Sequence, residues 1–224
     1  MSTIAKPQGA SATAGSLPTW TVLTQATLMT GLAGFVDAVG YTAMGHLYLS
    51  FMSGNSTQFG MAVAGHDTFV VGWAGAVIAS FVLGAFLGTL VYVAASRIKM
   101  TLVLACEFVC FAAAWSLQGL LATNIALLFV SVAMGMQNAI HEAIAGASTG
   151  KSFVTGALFG VGDALARACL GRTRFAEAGA NAVSWLAFIV GVTCGALTVG
   201  SLGVSLAILL AAGVLLVLLT LSFL

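Results

Sequence analysis

Long apolar runs separated by short polar stretches account for most of this chain. Eight segments can be marked, at roughly 20–43, 47–65, 69–95, 101–121, 124–145, 152–169, 178–199 and 203–223. A helix needs about 20 apolar residues to cross a bilayer's hydrocarbon core. Six segments meet that need. The other two are interrupted: 47–65 carries Ser53-Gly54-Asn55-Ser56-Thr57-Gln58, and 152–169 carries Gly156, Gly160, Gly162, Asp163 and Arg167. No alternating pattern marks strands, so an outer-membrane barrel is not expected. The pattern predicts an all-α transmembrane protein with six spanning helices plus two broken or re-entrant segments.

The two interrupted segments belong to a repeat. Gly34-Phe35-Val36-Asp37-Ala38-Val39 resembles Gly135-Met136-Gln137-Asn138-Ala139-Ile140 at an offset of 101, and Phe51-Met52-Ser53-Gly54 resembles Phe153-Val154-Thr155-Gly156 at an offset of 102. Gly84-xxx-Gly88 likewise matches Gly191-xxx-Gly195. Three blocks in one order predict an internal duplication, with halves near 20–121 and 124–223 inside a single transmembrane domain at 20–224. The polar stretch 1–19 reads as a disordered tail. It does not read as a signal peptide, because the apolar run that follows is too long and lacks a cleavage site.

Composition supports the membrane reading. Hydrophobic residues make up 60% of the chain and charged residues 6%, against roughly 25% charged in a soluble domain. No basic face exists for nucleic acid. Cys106, Cys110, Cys169 and Cys194 lie in apolar stretches without neighbouring histidines, and buried thiols are the simpler account. Neither a metal nor a cofactor is expected.

Charge also selects a topology, because cytoplasmic loops collect Lys and Arg. If all eight segments cross, the basic residues of tail and loops divide evenly. If 47–65 and 152–169 return to the side they entered from, Lys6, Arg97, Lys99, Lys151, Arg172 and Arg174 fall on one side. The other side then holds His46, His66 and Asp67. That arrangement gives three crossings per half, two inverted repeats and cytoplasmic termini. Re-entrant segments at 20–43 and 124–145 instead would divide the charges almost as unevenly.

Gly34-Phe-Val-Asp-Ala-Val-Gly-Tyr, Phe51-Met-Ser-Gly-Asn, Gly135-Met-Gln-Asn-Ala and Phe153-Val-Thr-Gly resemble the motifs of the YoaK-like family of bacterial multi-pass inner-membrane proteins, a domain of unknown function. The resemblance covers nearly all of the chain after the tail. It implies a bacterial inner-membrane location and supplies no activity. In such motifs Asn typically follows the second Gly. This chain has Ala157 there, so a role for that Asn would be altered in the second half.

Several residues could carry chemistry. A charged carboxylate at the bilayer centre costs on the order of 2.5–3.5 kcal/mol. Asp37 therefore needs a partner, a water-filled cavity or a proton. It is either a functional carboxylate or a cap on a broken helix, and Asn138 is its counterpart. Ser53 and Asn55 could replace a solute's hydration, or could satisfy the backbone of a helix break. Gly54 and Gly156 read as break points, and Thr155 as the counterpart of Ser53. Asp163 and Arg167, four apart, read as a structural ion pair or, more sharply, as a gate. His141 and Glu142 read as interfacial, with a proton relay through His141 as the alternative. Glu107 reads as a surface partner of Arg97 and Lys99.

These readings favour a permease or channel for a small polar or anionic solute, possible proton coupling residing in Asp37, with its site at the repeat interface. Helix N-termini at the midplane would favour an anion. Two other classes stand beside it: an accessory membrane protein that binds another subunit, and an intramembrane enzyme using Asp37 with His141 or Glu142. The chain lacks a nucleotide-binding or hydrolase motif, so no enzymatic activity is expected. The partners expected are the lipid bilayer and a small solute. The Gly-xxx-Gly faces offer packing surfaces, including one for a homo-oligomer.

Overall fold

A computed structural model describes residues 19–95, 98–145, 153–172 and 174–223, leaving aside the side chains at 19–22, 141–145 and 153. The tail read at 1–19, except Thr19, lies outside the described residues, as do Arg97 and Lys151. So do the side chains of His141 and Glu142.

Among the described residues the chain forms seven helices: α1 (Thr19–Ala43), α2 (Met52–Ala64), α3 (Thr68–Ala94), α4 (Lys99–Ser116), α5 (Thr123–Ala145), α6 (Phe153–Cys169) and α7 (Phe175–Leu221). Four stretches are long and apolar enough to cross a membrane: Thr68–Ala94, Lys99–Ser116, Thr123–Ile140 and Phe175–Leu221. Their outer faces are apolar too. Phe69, Val82, Phe86 and Val93 on α3, and Val190, Leu197 and Leu209 on α7, are all exposed, an exterior suited to lipid. The 13 residues of α2 extend only about 20 Å, short of the ~30 Å hydrocarbon core.

Three helices, α1, α2 and α6, stop where the backbone turns left-handed. At the end of α1, Gly45 and His46 have φ of 65° and 71°, and the His46 N–H donates to the Tyr41 carbonyl at 3.0 Å. This bond, five residues back along the chain, satisfies a carbonyl left open at the helix end. The two short helices end the same way. Asp67 N–H donates to Ala62 past His66, and Arg172 N–H donates to Arg167 past Gly171, each at 2.9 Å. Asp67 then caps α3 by accepting from the Val70 N–H at 3.1 Å.

A straight α7 of 47 residues would be about 70 Å long. It is not straight. Gly203, with φ 82° and ψ 170°, interrupts it. Leu210, Ala211 and Val214 line the same cavity of about 500 Å³ as Val183, Ala187 and Gly191. In an unbroken helix Ala187 and Ala211 would stand about 36 Å apart. The chain therefore folds back at Gly203 into a first arm, 175–202, and a second arm, 204–221. With that turn, the helical stretches match the apolar segments of the sequence one for one.

Glycine contacts tie the bundle together, and each type occurs twice. A Cβ on Gly84 would strike the Val132 carbonyl, and one on Gly191 would strike that of Gly31. One turn later, Gly88 meets the backbone of Met136, and Gly195 meets that of Phe35. Positions 31 and 132, like 35 and 136, differ by the 101 residues of the repeat. Because Gly84 and Gly88 meet Val132 and Met136 in the same order, α3 and α5 run in the same direction. By the same test α1 runs with the first arm of α7. The Gly-xxx-Gly faces are thus filled by the chain's own helices, which leaves them no room for a second copy.

At one end of the bundle three termini meet. Gln25 Nε2 on α1 donates to the Leu221 carbonyl at 3.3 Å, and the hydroxyls of Thr101 on α4 and Ser222 share a hydrogen bond of 2.9 Å. Fully buried Leu104 and Phe111 on α4, Leu127 and Met134 on α5, and Ile208 and Leu215 on the second arm of α7 belong to the apolar core.

Candidate functional site at the break between α1 and α2

Residues 44–51 connect α1 to α2 without helical structure of their own. Backbone groups at membrane depth find no water and must be paired by protein or by a wet cavity. Two side chains do much of that pairing. Asp37, two turns before the end of α1 and only 2% exposed, receives three backbone N–H groups on Oδ1: Leu49 at 2.9 Å, Ser50 at 2.6 Å and Phe51 at 3.3 Å. The Ser50 hydroxyl donates to Oδ2 at 2.8 Å. Asn55, buried in α2, brackets Tyr48 from the other side. Its Oδ1 accepts from the Tyr48 N–H at 2.9 Å, and its Nδ2 donates to the Tyr48 carbonyl at 2.7 Å. Buried Leu47 and Leu49 anchor the loop in the core. The carboxylate also sits where α2 begins, so the helix dipole favours its negative charge.

A cavity of about 450 Å³ opens beside this loop. Asp37, Tyr41, Thr42, Tyr48 and Phe51 line it from the first half, and Thr155, Phe188 and Val192 from the second. The rings form a corner: Tyr41 and Tyr48 lie 5.4 Å apart between centroids, and Phe51 stands edge-on to Tyr48 at 5.3 Å. Among the described lining residues Asp37 is the one of acidic or basic type.

The structure thus brings together Asp37 and Thr155 of the residues singled out in the sequence. Ser53, Asn55, Asn138 and Gly156 are not part of the cavity wall. Asn55 acts on it through Tyr48. Ser53 is exposed, and the Ser56 and Thr57 hydroxyls bond back to carbonyls of their own helix. Gly54 lies in the first turn of α2 rather than at the break, and a Cβ there would push on the rings of Phe51 and Tyr48 rather than on backbone. Asn138, the counterpart of Asp37, donates from Nδ2 to the Met134 carbonyl of α5 at 2.8 Å; residues 146–152 lie outside the described residues.

Asp163 and Arg167 form an ion pair of 2.8 Å on the outside of α6. The side chains of His141 and Glu142, read as interfacial with a proton relay through His141 as the alternative, lie outside the described residues. Glu107 departs from the surface reading. It is fully buried in α4, and among the described residues neither of its oxygens has a hydrogen-bond partner. Two turns separate it from the helix start at Lys99, so it points into the packed interior. Lys99 itself lies over the Tyr92 ring at 4.5 Å. No group of three or more metal-binding side chains occurs among the described residues.

Sequence reasoning missed the aromatic wall. A signal existed, since two of the chain's three tyrosines flank the break, at Tyr41 and Tyr48. Phe188 gave none, because only folding brings it there.

Comparison with known proteins adds one finding. The model of a family described as protein of unknown function (DUF1275) matches residues 25–221, a span consistent with the YoaK-like resemblance. Neither a curated protein nor a solved structure matches the chain.

Proposed function

The chain belongs to the DUF1275 family, and we propose that it is a permease or channel for a small polar solute in the bacterial inner membrane. The observation that carries this reading is the cavity at the break, walled by residues of both halves. Irregular backbone is tolerated at membrane depth where it lines a cavity, and transport sites are built at such breaks between repeats.

The helix directions support six crossings in inverted halves. The start of α1, the start of α4 and the end of α7 meet at one end of the bundle. The short 95–98 connection places the end of α3 there as well. Since α5 runs with α3, it runs against α1, as an inverted repeat requires. The three-residue connection at 65–67 puts the end of α2 at the start of α3, on the side where α1 points. Lys99, near the start of α4, lies at the end where α1 starts, and the split of Lys and Arg in the sequence favours that end as the cytoplasmic side. In a background without the four native cysteines, Ile98→Cys should resist an impermeant thiol reagent in intact cells, while Ala64→Cys should react. The reverse result would sink this topology.

Asp37 is the candidate coupling group, and proton coupling requires a pH-dependent flux. The Gly84-xxx-Gly88 and Gly191-xxx-Gly195 faces, which an accessory protein would offer to a partner, pack within the chain. The enzyme reading has no convergent nucleophile and base among the described residues. The deciding experiment is uptake or efflux of labelled small solutes in a deletion strain and its complemented partner, repeated in proteoliposomes. Saturable flux that needs the protein supports the reading. Equal flux across a broad panel with and without protein would remove it.

A further inference from the structure

We propose that the cavity beside Asp37 binds a small organic cation, an ammonium group on a compact apolar body. This deepens the permease reading, on which it rests for the role of the cavity as a cargo site.

Three observations converge. The first concerns the anion that a helix N-terminus would attract. The N–H groups of Leu49, Ser50 and Phe51, in the connection that leads into α2, are already taken, all by Asp37 Oδ1. The site for an anion is occupied by the chain's own carboxylate. The second is charge. Asp37 is in the cavity wall, and among the described residues neither Lys nor Arg is. That negative charge repels an anion and attracts a cation. Its Oδ2 accepts a single hydrogen bond among the described residues, from Ser50, and retains capacity for another donor.

The third is the wall itself. Tyr41, Tyr48, Phe51 and Phe188 all contribute to it. Aromatic faces carry negative quadrupole potential, and clustered rings are the usual receptors for alkylammonium groups. The Tyr48–Phe51 pair, with ring planes at 89°, supplies two walls at right angles. A bare metal ion would instead need several oxygen ligands, and the cavity offers one carboxylate. Its volume, about 450 Å³, falls in the ordinary range for small organic ligands, roughly 300–1,000 Å³.

The test uses the full chain purified in detergent and isothermal titration calorimetry with three probes of similar shape: benzyltrimethylammonium, benzoate and benzyl alcohol. Saturable binding of the cation at least about tenfold tighter than either other probe is expected. Tyr41→Phe should keep the affinity, and Tyr41→Leu should lose about tenfold. Benzoate binding as tightly as the cation, or equal binding of the neutral alcohol, would overturn the proposal using the wild-type protein alone. Proteoliposome flux separates the two readings. Cation binding without any flux would refute the permease while sustaining the site. Flux of another solute without cation binding would refute the site and leave the permease standing.

Discussion

Asp37 and Glu107 are both buried, at 2% and 0% exposure, yet Asp37 takes four hydrogen bonds and Glu107 takes none among the described residues. Removing an acid from water costs several kcal/mol unless donors replace the lost hydration. At Asp37 the donors come from a loop that itself needs acceptors, so each satisfies the other. The carboxylate organises the break between α1 and α2, and with it the cavity wall. Glu107 carries the desolvation cost without a visible return. Burial of a charged residue in a bundle therefore does not reveal its role; the partners do.

The largest effect should come from cutting the first arrangement. Asp37→Leu strands the N–H groups of Leu49, Ser50 and Phe51 and should destabilise the protein by about 3–5 kcal/mol, seen as lost yield and a lower melting temperature in detergent. Asp37→Asn keeps an acceptor where Oδ1 stood and should melt close to wild type. If it does so but loses transport, the ionised group is required for function. If transport survives in full, Asp37 serves structure alone.

Glu107→Met tests the opposite side of the contrast. Replacing an unpaired buried acid by an apolar side chain of similar size should raise stability by roughly 1–4 kcal/mol. A fall in melting temperature would show that Glu107 has a partner in the membrane and would dissolve the comparison.

The smallest effects come from glycines, where the same question is asked of packing. Gly84→Ala forces a methyl group onto the Val132 carbonyl and should cost about 1–3 kcal/mol. Gly162→Ala in α6 meets nothing within 4 Å and should gain about 0.5–1 kcal/mol, as helical glycines do when replaced. Matching melting shifts for the two variants would contradict the packing described.

Much of the architecture was legible in the amino-acid order. Apolar runs located the helices, with a gap at 200–202 between the last two, and the interruption at 53–58 pointed to a break nearby, which falls at 44–51. Asp37 stood out because a carboxylate in an apolar run must be compensated. The polar run after the break misled, because Ser56 and Thr57 bond to their own helix. Glu107 misled because basic residues near it in sequence suggested a surface pair, whereas it is buried and Lys99 lies over the Tyr92 ring.

By itself the sequence determined where this chain is helical, and it set matching motifs about 101 residues apart. Hydropathy and repeated motifs are local properties. Only the tertiary structure decided which faces meet: α1 on the first arm of α7, α3 on α5, and Phe188 across from Asp37. The reason is physical. In a soluble helix, apolar periodicity marks the buried face. Here the outward faces are apolar as well, as exposed Phe69, Val82 and Leu197 show, so hydrophobicity does not distinguish inside from outside. What decides is close approach of backbones at glycines and the pairing of buried polar groups, and both depend on residues far apart in the chain.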